Sequence, residues 1–150
     1  MRDAIRLATK NVKSGKGGPF GCVIVRDGEV IARAVNRVTA LNDPTAHAEV
    51  MAVRAACKKL NDFQLEGCEV YTSCEPCPMC LAALYWARCS AIYFGNSAQD
   101  AADAGFDDSF LYEELKRPLQ ERRIPISRLL AEEAIENFDV WRASAQRVDY

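Results

Sequence analysis

The chain has 150 residues, of which 49% are hydrophobic and 27% charged, so it can fold as one globular domain without disulfide bonds. Its 19 basic and 21 acidic residues leave a net charge of −2, which offers no general attraction for the phosphates of a nucleic acid. The seven cysteines are odd in number, and no apolar run reaches the length of a signal-peptide core or a membrane span. We therefore expect a cytoplasmic protein of a single domain, residues 1–150, with reduced thiols and with no membrane or nucleic-acid partner.

Hydrophobic patterning divides the first hundred residues into alternating helices and strands. The predicted elements are a helix over 3–13, strands over 20–26 and 30–38, a helix over 46–60, a strand over 68–73, a helix from 76 to about 87 and a strand over 91–95. Asp27 and Gly28 join the first two strands, and because both tolerate positive φ they predict an antiparallel hairpin. The alternation predicts an α/β fold around a mixed sheet.

The last third of the chain has a less regular pattern. Residues 100–109 are expected to form a loop, and Pro118 and Pro125 interrupt the segment that follows. A terminal helix is predicted over 135–146, with Phe138 and Trp141 on one face. The basic side chains between 116 and 128 alternate with glutamates, so we expect a solvated charged face there.

A possible metal site combines the only histidine of the chain, His47, with Cys77 and Cys80. In a helix that begins at Pro76, the two cysteines lie three residues apart on one face, so both sulfurs can reach one ion. The first turn of a helix also lies at the positive end of its dipole, which favours the thiolate form. One histidine and two cysteines leave a tetrahedral zinc ion with one open position, as in catalytic zinc sites.

Glu49 is the expected general acid and base. Residues two apart in mid-helix point to nearly opposite faces, so His47 and Glu49 must both lie where a helix begins. There the carboxylate can bond the water on zinc, whose pKa the metal lowers toward ~7, and can carry its proton to the substrate and the leaving amine. The alternative is a solvated glutamate that only favours the helix dipole.

The cysteines leave other interpretations open. A Cys-x-x-Cys pair by itself could be a redox pair or half of a structural zinc site. Cys74 could close a structural site of three cysteines and His47, although Glu49 would then have no role. The other four cysteines lie in apolar segments and are expected to act as small hydrophobic residues: Cys22, Cys57, Cys68 and Cys89.

His-x-Glu followed by Pro-Cys-x-x-Cys makes the chain resemble the cytidine deaminase superfamily, of which this pattern is the zinc signature. Residues 72–80, Thr-Ser-Cys-Glu-Pro-Cys-Pro-Met-Cys, are similar to its purine-acting branch, and within that branch to the bacterial guanine deaminases. The resemblance extends along essentially the whole chain, through residues 17–21, 42–49, 85–88, 104–110 and 141–150. It implies a three-layer α/β/α sandwich around a mixed five-stranded sheet, with one zinc ion per subunit held by His47, Cys77 and Cys80.

The function that the resemblance implies is hydrolysis of guanine to xanthine and ammonia by a zinc-bound hydroxide, with Glu49 as the proton shuttle. Asn36 would hydrogen-bond the purine, Phe20 would pack against its ring, and Asp108 would face the guanine edge and help to move protons. The implied substrate-binding residues are Phe20, Asn36, Trp86, Asp108 and Tyr150. Tyr150 would come from the other subunit of a homodimer that exchanges C-terminal segments.

Each of these residues also has an ordinary structural role as its alternative. Phe20 and Trp86 could be core aromatics, Asn36 a turn residue, Asp108 a loop cap and Tyr150 a frayed end. Two alternative functions are a tRNA adenosine deaminase and a non-catalytic zinc module for protein interaction. The sequence leaves open whether guanosine, cytosine or small diamino-heterocycles are secondary substrates.

Overall fold

The computed structural model describes residues 1–149, and over them the chain forms two compact units. The first unit is Met1–Asp108 and contains the whole sheet, and the second begins at Ser109. Tyr150 lies outside the described residues. Within residues 1–149, every helix is too short or too polar to cross a lipid bilayer.

The sheet has four strands in the order β2-β1-β3-β4. They are β1 (Gly21–Arg26), β2 (Glu29–Val35), β3 (Cys68–Cys74) and β4 (Ala91–Asn96). β1 pairs antiparallel with β2 and with β3, whereas β3 pairs parallel with β4, so the sheet is mixed. Asp27 and Gly28 turn the β1–β2 hairpin at φ values of 52° and 78°, which confirms the antiparallel hairpin.

The α/β fold with a mixed sheet is confirmed, but the prediction of a five-stranded sheet is wrong for residues 1–149. Immediately after β4, Ser97 and Asp100 form a capping box that starts a helix. Beyond it the described chain contains short helices and turns, interrupted at Pro118 and Pro125, and no further strand.

The first unit contains five α-helices among its described residues, and the second contains three α-helices and a 3-10 helix at Leu119–Glu121. The α-helices are α1 (Arg2–Lys13), α2 (Val38–Leu41), α3 (Ala48–Leu60), α4 (Pro78–Trp86) and α5 (Ala98–Asp103), followed by α6 (Ser109–Lys116), α7 (Ala131–Ala134) and α8 (Glu136–Ala143). Residues 100–109 are therefore not a continuous loop, because α5 takes up the first four of them. The terminal helix is shorter than the predicted 135–146.

Helices cover both faces of the sheet. Cys22 and Ile24 of β1 point toward α3 and share a core with its fully buried alanines. Gly21 points the other way, and a Cβ there would collide with the Ala4 carbonyl oxygen of α1. Small residues thus let both helices approach the strands closely, and the sheet is held between α1 and α3.

The predicted role of the four apolar cysteines as small hydrophobic residues is confirmed. Cys22 and Cys68 are fully buried in the core between the sheet and α3, and Cys57 and Cys89 pack against the same core. All seven cysteines are free thiols.

The second unit has a different character, because none of its described residues is buried. Arg122 donates hydrogen bonds to the carbonyl oxygens of Arg117 and Leu115. These bonds connect the end of α6 to the turn that follows it. Most of the large apolar side chains of this unit, including Leu130, Ile135, Phe138 and Trp141, are exposed. A segment of this length has no hydrophobic core of its own.

Candidate active site

His47, Cys77 and Cys80 meet where α3 and α4 begin. His47 is the N-cap residue of α3, Cys77 is the N-cap residue of α4, and Cys80 lies in the first turn of α4. The Nδ1 atom of His47 is 3.5 Å from the Sγ atom of Cys77 and 3.5 Å from that of Cys80. A tetrahedral zinc ion with ordinary Zn–S and Zn–N bonds separates such atoms by about 3.6 Å. The three side chains therefore fit a zinc ion, and in residues 1–149 they form the only cluster of this kind.

The helix beginnings explain why these side chains are available. Both N-cap residues have extended backbone, with ψ values of 156° and 165°, and neither side chain caps its own helix. α4 begins at Pro78 rather than at the predicted Pro76, so the first proline of the helix follows Cys77. Cys77 and Cys80 still reach one point in space, because an N-cap side chain and one three residues later lie on the same side of a helix entry.

The two thiols differ in how readily they ionise. A hydrogen bond from Cys80, with a smaller contribution from His47, lowers the pKa of the Cys77 thiol to about 4. The same bond, together with burial, raises the pKa of the Cys80 thiol. The Cys77 thiol also raises the pKa of His47 by hydrogen bonding. Both sulfurs must be thiolates to hold a metal, so zinc binding displaces the proton that the two thiols share.

Cys74 is not part of this cluster. Its Sγ atom donates a hydrogen bond of 3.6 Å to the carbonyl oxygen of Ser97. Burial raises the pKa of its thiol to about 11, which keeps it protonated. Among residues 1–149, a closed site of three cysteines and His47 is therefore not formed.

Glu49 is buried beside the cluster, with 5% of its surface exposed. Its Oε1 atom accepts a hydrogen bond of 2.6 Å from the Thr72 hydroxyl, and its Oε2 atom lies 3.4 Å from the Sγ atom of Cys80. A solvated glutamate that only favours the helix dipole would have none of these contacts. The carboxylate is instead fixed beside the cluster by its contacts with Thr72 and Cys80.

A cavity of about 490 Å³ opens over the cluster within the first unit. Its lining includes the predicted residues Phe20, Asn36, His47, Glu49, Cys77 and Asp108. Trp86 is not among the lining residues, because it lies at the end of α4 with 68% of its surface exposed. Tyr150 falls outside the described residues. A cavity of this size suits a small molecule or a single nucleobase.

Asn36 is held with its amide nitrogen free to donate. Its Oδ1 atom accepts hydrogen bonds from the backbone N–H groups of Gly18 and Val38, at 3.4 Å and 3.3 Å. Its backbone carbonyl oxygen accepts a hydrogen bond of 2.8 Å from Asn11, whose amide also bonds the carbonyl oxygen of Gly18. The glycine loop, residues 15–18, and Asn36 are therefore fixed together as one wall of the cavity.

Aromatic and acidic side chains form a further part of the cavity lining. The Phe20 ring contacts that of Phe106 edge to face, with centroids 5.0 Å apart and an interplanar angle of 84°. Burial raises the pKa of the Asp108 carboxyl above its usual range, and the nearby Cys77 adds to the effect. The cavity thus offers an aromatic surface, an amide donor and a carboxyl group to one small ligand.

Three residues of the site were not predicted to have a role: Asn11, Thr72 and Phe106. Thr72 had a detectable signal, since alternation along β3 places it on the same face as the core residues Cys68 and Val70. A hydroxyl at such a position needs a buried partner. Asn11 had no comparable signal, because a polar residue near the end of an amphipathic helix is ordinarily solvated.

Comparisons with known proteins agree with this geometry. The zinc-binding region of cytidine and deoxycytidylate deaminases matches residues 1–96. The chain is 52% identical to guanine deaminase of Bacillus subtilis (strain 168) over 150 residues, which are 100% of this chain and 96% of that protein. The X-ray structure of guanine deaminase from B. subtilis matches 99% of this chain and 95% of its own with a TM-score of 0.97. A tRNA-specific adenosine deaminase of Aquifex aeolicus is 44% identical over 105 residues, which are 70% of this chain and 68% of that protein.

Proposed function

The chain belongs to the cytidine and deoxycytidylate deaminase family, and from that premise we propose that it hydrolyses guanine to xanthine and ammonia. The single observation that carries the proposal is the His47, Cys77 and Cys80 triangle with Glu49 buried beside it at the floor of a small cavity. Identity to a guanine deaminase over the full length selects guanine among the substrates of the family. The enzyme is a zinc-dependent aminohydrolase.

We assign the zinc ligands to His47, Cys77 and Cys80. When bound, zinc supplies a Lewis acid that activates the attacking water. Glu49 would take one proton from the attacking water and deliver it to a ring nitrogen of the purine. It would then take the proton of the added hydroxyl group and deliver it to the amine, which leaves as ammonia. Its burial and its bond from Thr72 support this role, because they hold the carboxylate in one orientation before the reaction.

The substrate is held by side chains of the cavity walls. Asn36 donates its amide N–H to the purine, Phe20 packs against the ring, and Asp108 faces the guanine edge near the leaving amine. The raised pKa of the Asp108 carboxyl supports a part in proton movement, because a group that titrates closer to neutral pH both gives and takes a proton more readily.

We further propose that the enzyme is a homodimer that exchanges its C-terminal segments, so that Tyr150 of one subunit completes the substrate site of the other. The absence of buried residues between Ser109 and residue 149 supports an exchange, because exposed Phe138 and Trp141 gain stability only against another surface. Trp86 would meet substrate only through such an assembly. Each chain would still function as a single deaminase domain, with the three-layer arrangement of the superfamily.

A tRNA adenosine deaminase is the alternative, on the strength of the partial identity to such enzymes. The net charge of −2 disfavours a polyanionic substrate, and we propose no nucleic-acid partner. We place the enzyme in the cytoplasm, where a reducing environment keeps its seven cysteines as free thiols.

The test is turnover by zinc-loaded protein, followed by the loss of guanine absorbance and the release of ammonia. Adenine, cytosine, cytidine, guanosine, a small diamino-heterocycle and a tRNA anticodon stem-loop form the comparison panel. Fast deamination of guanine with slow or no reaction of the others is the expected result. Deamination of the stem-loop without that of guanine would overturn the substrate, and silence on the whole panel with zinc bound would favour a structural metal.

A further inference from the structure

Thr72 contacts the proposed proton carrier, Glu49, but has no role of its own in the proposed reaction. It is in β3 with none of its surface exposed, and its hydroxyl donates the 2.6 Å hydrogen bond to Oε1 of Glu49. The next residue, Ser73, points to the other face of the sheet, where its hydroxyl accepts a hydrogen bond from the backbone N–H of Gly21. Only the hydroxyl of Thr72 is therefore directed at the carboxylate.

Because of the bond from Thr72, the two carboxylate oxygens of Glu49 have different surroundings. Oε1 is occupied by the threonine, whereas Oε2 faces the metal cluster, 3.4 Å from the Sγ atom of Cys80. Rotation about the last torsion of a glutamate is soft, so nothing in the side chain itself fixes this orientation. Thr72 belongs to a buried strand, and its β-branched side chain is restricted to few rotamers. It is thus a rigid anchor for one oxygen.

We propose that Thr72 is a positioning residue that holds Glu49 with Oε2 toward the metal and the substrate. The inference rests on the proposed function of Glu49 as the proton carrier. Without the hydroxyl, the carboxylate samples other orientations and the proton transfer step slows. Substrate binding does not change, because Thr72 is not among the residues that line the cavity.

A purely structural role is the competing explanation, since a buried carboxylate needs a donor in any case. The two explanations differ in what they change. A structural role lowers the temperature of unfolding but leaves kcat intact in protein that is folded and contains zinc. A positioning role lowers kcat in that same protein and leaves KM where it was.

The experiment compares Thr72→Val, which keeps the shape and removes the hydroxyl, with Thr72→Ser, which keeps the hydroxyl. Ser73→Ala is the matched control, because it removes the neighbouring buried hydroxyl without touching Glu49. Thr72→Ala serves as a second variant in case valine prevents folding. For each protein, zinc content, the unfolding temperature, and kcat and KM for guanine are measured.

We expect valine and alanine at this position to lower kcat about 10- to 100-fold, the range of one hydrogen bond to a charged group, with KM within about 3-fold of the parent. Serine should restore kcat to within about 3-fold, and Ser73→Ala should retain it within about 2-fold. Unchanged kcat in zinc-loaded Thr72→Val or Thr72→Ala, or a serine variant as slow as the valine variant, would overturn the inference.

The inference can fail separately from the proposed function. If the parent protein deaminates guanine and the Thr72 variants do so equally well, only the inference is lost. If the parent does not act on guanine, urea unfolding of Thr72→Val, Glu49→Ala and the double variant still tests the bond, because each single variant removes one of its two partners. Non-additive effects on stability would retain Thr72 as the anchor of Glu49, and additive effects would remove it.

Discussion

Replacing Glu49 with glutamine separates a catalytic metal from a structural one. Glutamine has the same shape as glutamate, and its carbonyl oxygen can still accept the hydrogen bond that Thr72 donates to Oε1. The side chain is 5% exposed and its surroundings would be kept, so the fold and the zinc cluster should survive. What is lost is the ability to accept and release a proton at Oε2.

The expected loss follows from that single change. A positioned general acid and base contributes about 10²- to 10⁴-fold to a rate, which corresponds to about 3 to 5 kcal/mol in the activation free energy. Glu49 would serve two proton transfers in one turnover, so we expect the upper part of this range. KM for guanine should change little, because Asn36 and Phe20, not Glu49, are proposed to hold the ring.

The assay is the loss of guanine absorbance with ammonia release, alongside zinc content by atomic absorption. Glu29→Gln is the control, because Glu29 is an exposed residue at the start of β2 and its substitution changes the net charge equally. A Glu49→Gln enzyme with full zinc and more than about a tenth of the parent kcat would refute the proton-carrier role. A loss of several orders of magnitude with zinc retained is incompatible with a purely structural metal.

Three further predictions address the metal, the cavity wall and the terminus. Cys77→Ala should lower both zinc content and the unfolding temperature, since metal binding is coupled to folding; unchanged zinc content would remove Cys77 from the ligand set. Asn11→Leu should raise KM several-fold with less effect on kcat, because the Asn11 amide ties Asn36 to the glycine loop; steady-state kinetics with an unchanged KM would contradict this. Deleting Tyr150 should leave zinc bound but reduce turnover of guanine, and a fully active truncated enzyme would disprove its part in the site.

Local sequence signals predicted the elements of the first unit well. The Asp27 and Gly28 hairpin depends on two adjacent residues that accept positive φ, and α3 depends on a continuous alanine-rich segment. The errors lie where a boundary depends on competing caps. Ser97 with Asp100 starts α5 just before residues 100–109, which were expected to form a loop, and the helix continues into them. Pro78 rather than Pro76 opens α4.

The contacts in the walls of the cavity could not be predicted from one sequence, whereas the metal site could. The spacing of His47, Cys77 and Cys80 indicates a shared ion, because metal chemistry restricts both residue type and geometry. The bonds of Asn11 to Gly18 and Asn36 join residues whose types are common anywhere in a protein. Such contacts depend on how α1 packs against the sheet, and no local pattern encodes that packing.

The spacing of the metal motif follows from the way the two helices begin. His47 and Cys77 occupy equivalent N-cap positions with similar extended backbone, and Glu49 and Cys80 lie one turn or less inside their helices. At such positions the unpaired backbone N–H groups and the helix dipole favour negative charge, which suits a carboxylate and thiolates. Placing the same residues in mid-helix would remove this field and turn Glu49 away from His47. Each part of the motif is therefore short, because it spans only the first turn of one helix. The two parts are far apart in the sequence because the site is built from the beginnings of two helices, α3 and α4.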